Sequence, residues 1–248
     1  MAPEKPAEAL KLAKATRAIA AKHAKKLSFV VCTPNLHLPA VAKVSAALKV
    51  GGQSVAATTE AAQTGLVSAA MLKAAGAKYC IVGHSEERAR LGTALSAEQV
   101  NAAVREQLIR ICEAGLTPIL CVGEKSRDHQ GWYLSEVKDQ LESALTSMPR
   151  KAIANLVIAY EPVWAIGSTA TREATPAECS EMVIYIRKIA ADLFDHKAGA
   201  AIRVLYGGSV NEKNAKQFIA DGMAQGLLVG RTSLDAKRLA QLAASLAA

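Results

Sequence analysis

Glu161 ends an apolar, β-rich run, Val157-Ile158-Ala159-Tyr160, and is followed by Pro162, Val163 and Trp164 before small residues lead to Gly167. A strand that delivers a carboxylate and is stopped by proline is how a barrel enzyme displays a base, because reactive groups in (βα)8 barrels stand at C-terminal strand ends. An isolated Glu-Pro serves equally well as a strand-capping carboxylate in an ion pair. His84 repeats the arrangement, directly after KYCIVG (78–83) and before Ser85-Glu86-Glu87. A helix N-terminus there would disfavour imidazolium and leave a neutral ring able to donate a hydrogen bond, although a single histidine in such a place is often an ordinary loop residue. Gly207-Gly208-Ser209 and Gly230 follow apolar runs and offer unhindered backbone N–H groups to an anion, with phosphate the natural guest. Glycines after strands are also plain turn residues.

Positioning these groups requires a repeated strand-then-helix scaffold, and the chain alternates accordingly. Short apolar runs predict seven strands, at 27–33, 54–58, 78–83, 116–123, 155–161, 201–208 and 225–230. Helical patterns cover 6–26, 40–49, 66–75, 96–115, about 133–147 and 211–222, with one more starting after Thr175-Pro176 and a last one from Ser233. In the first, Leu12, Ala15 and Ile19 are spaced for one buried face. β-then-α repeats without a linker imply parallel pairing, and closure into a barrel accounts for the lack of a polar edge strand. The alternative is a doubly wound open sheet, which would want a glycine fingerprint after its first strand; none is present there.

Composition narrows the class. A chain of 248 residues suits one large α/β domain, and 51% hydrophobic with only 4% aromatic residues means an interior of Ala, Val, Leu and Ile. The Lys-rich start lacks the apolar centre of a secretion signal, and no apolar stretch is long enough for a membrane span, so a soluble cytoplasmic protein without a membrane partner is expected. Cys32, Cys80, Cys112, Cys121 and Cys179 are odd in number and lack C-x-x-C spacing, which argues for buried free thiols and against disulfides or a metal site. The net charge of +8 could signal nucleic acid, but Lys11, Lys14, Arg17, Lys22, Lys25 and Lys26 belong to one helical stretch without interleaved aromatics. A solvated helix face fits better, and the charge still favours a small anionic substrate.

Together the segments AYEPVWAIG (159–167), VGHSE (82–86), YGGSVN (206–211), CVGE (121–124) and LLVG…SL (227–234) resemble the triosephosphate isomerase family, in order and at the right strand ends. The resemblance runs from Leu27 to the C-terminus. It implies a single-domain (βα)8 TIM barrel over 1–248 that interconverts dihydroxyacetone phosphate and glyceraldehyde 3-phosphate in glycolysis and gluconeogenesis, with no metal or organic cofactor and usually as a homodimer. Carried over, Glu161 is the base and His84 the neutral electrophile, a division of roles for which that family is itself the worked example. Glu86 takes the second acidic position of the His loop. Gly167 and Ser168 lie in the mobile lid, again a feature for which the family is the standard case, and Ser209, Gly230 and Arg231 lie around the substrate phosphate.

Departures from the family pattern set further expectations. Members begin with a strand ending in Asn-x-Lys, whereas here the first helix opens at Pro6; the first strand is expected to be missing or truncated, leaving a gap between the second and eighth strands and impairing activity. Gly230-Arg231 stands where the family has two glycines, so Arg231 would either pair with phosphate or obstruct the backbone amide. The dimerisation loop reads Thr64-Gly65-Leu66 in place of Thr-Gly-Glu, and Glu87 replaces an arginine. Both ends of an intersubunit pair are thereby lost, so a repacked or weakened dimer is expected. The lid, Ser168–Glu173, is also longer than usual. Two other readings remain: a catalytically silent barrel kept for binding or structure, and an isomerase of another small phosphosugar.

Overall fold

Six strands hydrogen-bond in sequence order into one parallel sheet: Val30–Thr33 (β1), Lys49–Gly52 (β2), Tyr79–Val82 (β3), Thr117–Val122 (β4), Val157–Tyr160 (β5) and Arg203–Tyr206 (β6). They come from a computed structural model that describes residues 3–44, 48–58, 64–146, 148, 150–167 and 170–247. The segment 225–228 runs parallel to β6, with Gln225 N–H on Val204 O (2.8 Å), Tyr206 N–H on Gly226 O (3.0 Å) and Leu228 N–H on Tyr206 O (2.9 Å). It is the strand expected at 225–230, reduced to a single bridge.

Strand alternation separates two apolar layers. Ile81, Ile119, Cys121, Val157 and Ala159 turn to the inside of the curved sheet, while Cys80, Val82, Leu120, Val122, Ile158 and Tyr160 pack under the helices. Those helices are Pro6–His23 (α1), Leu38–Val44 (α2), Ala69–Ala74 (α3), Ser85–Leu91 (α4), Ala97–Glu113 (α5), Trp132–Leu145 (α6), Arg150–Ile153 (α7), Pro176–Leu193 (α8), His196–Ala201 (α9), Ala215–Ala220 (α10) and Ala236–Ala247 (α11). Pro6 sits in the first turn of α1, and capping boxes start α5 (Ser96 with Gln99) and α8 (Thr175 with Glu178). The covered stripe of α1 is Ala9, Ala13 and Thr16, with the expected Leu12, Ala15 and Ile19 only half-buried. Lys11, Lys14, Arg17 and Lys22 are exposed.

The second predicted strand is displaced. Residues 54–58 form no strand, and β2 is instead Lys49-Val50-Gly51-Gly52, so the preceding helix, described over Leu38–Val44, does not reach 49. Paired glycines argue against a strand by pattern, but here the backbone must pass close to its neighbour: a Cβ on Gly51 would lie 2.8 Å from Tyr79 O. The first predicted strand likewise starts at Val30 and not at 27. All five cysteines are free, three buried and two half-buried.

The inner ring of strands is open while the outer ring of helices is closed. Among the described residues no strand lies between β1 and the 225–228 segment, yet α1 packs against both α2 and α11 across that seam. What remains is a cavity of about 770 Å³ inside the sheet, where protein interiors normally hold few voids larger than a water molecule. Ile119 lines it; its β4 neighbour Leu120, fully buried, faces the helices. Leu120→Ala should cost 2–5 kcal/mol in urea unfolding, and Ile119→Ala at least about 1 kcal/mol less, because one side of that residue already lacks partners. Equal costs would mean the interior is filled.

Candidate active site

The C-terminal ends of β3 and β5 bring His84, Glu86 and Glu161 to the lining of this cavity, with Gly230 after the 225–228 segment. Glu161 directly follows β5, is 2% exposed, and points its carboxylate at the loop after β3. One oxygen, Oε1, lies 3.0 Å from His84 Nε2, and Oε2 accepts the backbone N–H of Ser85 at 2.8 Å. Backbone geometry fixes that reach. The Glu161 N–H donates to Val122 O (2.8 Å), and Gly123 passes so close beneath that a Cβ there would sit 1.8 Å from Glu161 O.

His84 is the N-cap of α4, its Nδ1 accepting the Glu86 N–H at 3.3 Å. An Nδ1 that accepts carries no proton, so the neutral ring holds its hydrogen on Nε2, aimed at Glu161. Burial pulls the imidazole pKa down, but the Glu161 hydrogen bond and charge more than offset this, leaving it above the usual histidine value. Arg88 holds the same loop from behind, donating to Gly83 O (2.9 Å), Asn101 Oδ1 (2.8 Å) and Cys121 O (3.3 Å).

The other expected residues fall into place unequally. Glu86 lies 4.0 Å from His84 Nδ1, but its side chain is 81% exposed and turned to solvent. Ser209 donates from Oγ to Ala165 O at 2.9 Å, joining the loop after β6 to the start of the lid. Gly167 is exposed with φ +74°, and Gly230 is exposed at the start of a 3-10 turn over Arg231–Leu234. Ser168 lies outside the described residues. Arg231 is exposed and does not line the cavity, so neither phosphate pairing nor obstruction is visible in its placement. Thr64, Gly65 and Leu66 are exposed, whereas Glu87 is buried and bonded within its own chain, accepting from Ser54 Oγ (2.7 Å) and Gln107 Nε2 (2.9 Å).

Sequence reasoning missed the group that seats the lid. Glu124, fully buried, accepts on Oε1 from Tyr160 Oη (2.8 Å), Trp164 Nε1 (2.8 Å) and Arg127 Nε (3.4 Å). Burial raises its carboxyl above the ordinary range despite those donors. At the other end of the lid Thr171 donates its N–H (2.8 Å) and Oγ1 (3.1 Å) to Trp164 O, and Arg172 stacks 4.2 Å from the Trp164 ring. Arg172 also forks onto Glu178 at 3.0 and 2.5 Å. The signal was present in CVGE and EPVWAIG, but only the fold shows that the Glu and the Trp meet.

A parallel α/β sheet that places a buried carboxylate and an imidazole 3.0 Å apart at its C-terminal strand ends is the arrangement of a barrel enzyme for proton transfer. The chain belongs to the triosephosphate isomerase family, whose model, described as "Triosephosphate isomerase", matches residues 2–246. Among its relatives are the triosephosphate isomerases of Symbiobacterium thermophilum, 39% identical over 89% of this chain and 84% of that protein, and of Chloroflexus aurantiacus, 40% identical over 84% and 81%. The crystal structure of triosephosphate isomerase from Bartonella henselae superposes with a TM-score of 0.79 at 32% identity, covering 95% of this chain and 92% of that one.

The Arg172 fork, followed by burial and then the Thr175 hydrogen bonds, sets the Glu178 carboxyl at about 2, the fork and the Thr175 bonds lowering it against burial. A carboxyl lowered on folding stabilises above its unfolded value and loses that contribution as pH falls through its folded one. Because Arg172 is half-exposed, screening leaves about 1 kcal/mol. Glu178→Gln should therefore destabilise by that amount at pH 7 in urea unfolding, with more than half of the gap gone by about pH 3. A gap independent of pH would show that the charge contributes nothing.

Proposed function

We propose that this chain interconverts dihydroxyacetone phosphate and glyceraldehyde 3-phosphate through an enediolate, within a single barrel domain. The observation that carries the reading is the 3.0 Å approach of His84 Nε2 to Glu161 Oε1 at the cavity mouth. Moving a proton between adjacent carbons needs a base within reach of both and a donor for the oxyanion that develops. Glu161 supplies the base. His84, with its hydrogen on Nε2, donates to the enediolate oxygens, and substrate entering between the two takes over the hydrogen bond they now share. Backbone N–H groups of the loops after β6 and at Gly230, with the lid from Gly167, are the phosphate-binding elements. Glu86 acts at a distance, through the charge it adds beside His84. The open seam supports a slower enzyme than a closed barrel, since water reaching the cavity weakens every electrostatic interaction in it.

A coupled assay with glyceraldehyde 3-phosphate tests the activity directly. Glu161→Gln should reduce exchange of the substrate's carbon-bound hydrogen with solvent by about 10²–10⁴-fold while leaving the affinity for a phosphate-bearing inhibitor nearly intact. Parallel loss of both would remove Glu161 from the base role.

Assembly is proposed to be a weak dimer. The support is that Glu87 spends its hydrogen bonds on Ser54 and Gln107 of its own chain, and that Leu66, 50% exposed, brings no charge to a partner. Sedimentation at micromolar concentration should show dissociation into monomers. A dimer unaffected by dilution would mean other contacts compensate.

A further inference from the structure

His84 takes its direction from α4, and α4 cannot supply that direction alone. The ring accepts the Glu86 N–H on Nδ1, and the His84 carbonyl accepts the Arg88 N–H at 2.9 Å, so side chain and backbone are both fastened to the first turn of the helix. Seven residues, Ser85–Leu91, are too few for a helix that holds itself in water, where even about 12–15 are marginal. Tertiary bonds must therefore fix how α4 is tilted and turned. Arg88 does so on one side, through Gly83 O, Asn101 Oδ1 and Cys121 O.

The residue before it does so on the other. Glu87 Oε1 accepts from Ser54 Oγ at 2.7 Å and from Gln107 Nε2 at 2.9 Å, and the same Gln107 nitrogen donates to Val55 O at 2.6 Å. The first turn of α4 is thereby stapled to α5 and to the loop after β2. Glu87 and Gln107 are both buried, which shields these bonds from competing water. Arg90 comes no nearer to Glu87 than 3.9 Å and is largely exposed, so its pairing adds little. Glu87 Oε2 and Gln107 Oε1 are each buried without a donor. The staple therefore depends on an acceptor of glutamate's shape at position 87 and not on a negative charge there, and an amide in its place keeps Oε1 while bringing a donor to a cluster that has idle acceptors.

We infer that Glu87 and Gln107 are positioning residues for His84: by fixing the first turn of α4 they aim its Nε2–H at Glu161. The effect on turnover rests on the isomerase reading, whereas the effect on the ring does not, and the experiment measures both. Nitrogen NMR of isotopically labelled histidines, with the His84 signal identified by its loss in His84→Gln, should show Nε2 protonated and Nδ1 bare once the ring is titrated to its neutral form. Glu87→Met and Gln107→Met keep the volume and remove the bonds. Each should shift that signal toward a mixture of tautomers and lower kcat about tenfold while KM moves by less than about twofold, since a misplacement of about 1 Å can cost on the order of 10²-fold. Glu87→Gln should restore the parent signal and most of kcat. Ser54→Ala, at a half-buried position, carries the same measurement where the Met variants unfold. Variants that lose stability in urea but keep the parent tautomer signal would make the staple purely structural and overturn the proposal. Equal losses in Glu87→Gln and Glu87→Met would assign the effect to charge and overturn it as well. Should the parent chain turn over no substrate, the isomerase reading fails and the NMR signal alone decides this one.

Discussion

The contact of Gly123 with the backbone of Glu161 is the constraint on which the site depends. β4 and β5 run in register from Ile119 opposite Val157 to Val122 opposite Tyr160, and the next step brings Glu161 onto Val122 O. Gly123 then lies where no side chain fits, with both of its backbone groups held by the Gln140 amide at 2.9 Å. The carboxylate is thus placed by a ladder and a clamp before its own torsions matter. Ser85 N–H and His84 take the two oxygens, so the β3 and β5 halves of the site are referenced to each other through β4. Hydrogen-bond reach between heavy atoms is about 3 Å, and this backbone crossing fixes where the carboxylate stands within that reach of His84.

One residue beyond Gly123, Glu124 extends the same control to the lid. Its Oε1 gathers donors from the end of β5, from the Trp164 turn and from the loop after β4, while Thr171 bonds back to Trp164 O. The two ends of the lid are therefore tied to one buried carboxylate and one indole, with Arg172 and Glu178 joining the far end to the first turn of α8. Oε2 of Glu124 is buried without a donor, so every hydrogen bond of that group converges on a single oxygen.

Local residues announced the site, and distant ones remained silent. Glu161, His84 and the glycines after β6 could be located because strand-end placement is written in consecutive residues. Arg88, Gln140 and Glu124 could not, since each is defined by a partner 13 to 40 positions away. β2 escaped because the close packing against Tyr79 that demands Gly51 is a tertiary fact, invisible to a periodicity that penalises glycine. Glu87 was read as one lost end of an intersubunit pair; only packing shows that it has turned inward to Ser54 and Gln107. Arg231, beside the glycine expected at the phosphate, proves exposed for a similar reason: sequence gives its neighbour but not its direction.

The open seam does not fall evenly on these parts. His84 and Glu161 hang from β3 and β5, each paired on both edges, and Ser209 follows β6, which has β5 on one side and the 225–228 segment on the other. Their mutual geometry is therefore insulated from the gap. Gly230 is not: it follows the segment that borders the seam, so that side of the pocket is the part with a free edge. The cavity wall there is continuous with the part lined by His84, Glu86 and Glu161, so among the described residues nothing separates the seam from that pair. A higher local dielectric weakens an oxyanion's hydrogen bonds more than it disturbs the positions of the groups that make them. For the proposed reaction the gap would thus weaken transition-state stabilisation, while the His84–Glu161 pair keeps the 3.0 Å spacing its strands impose.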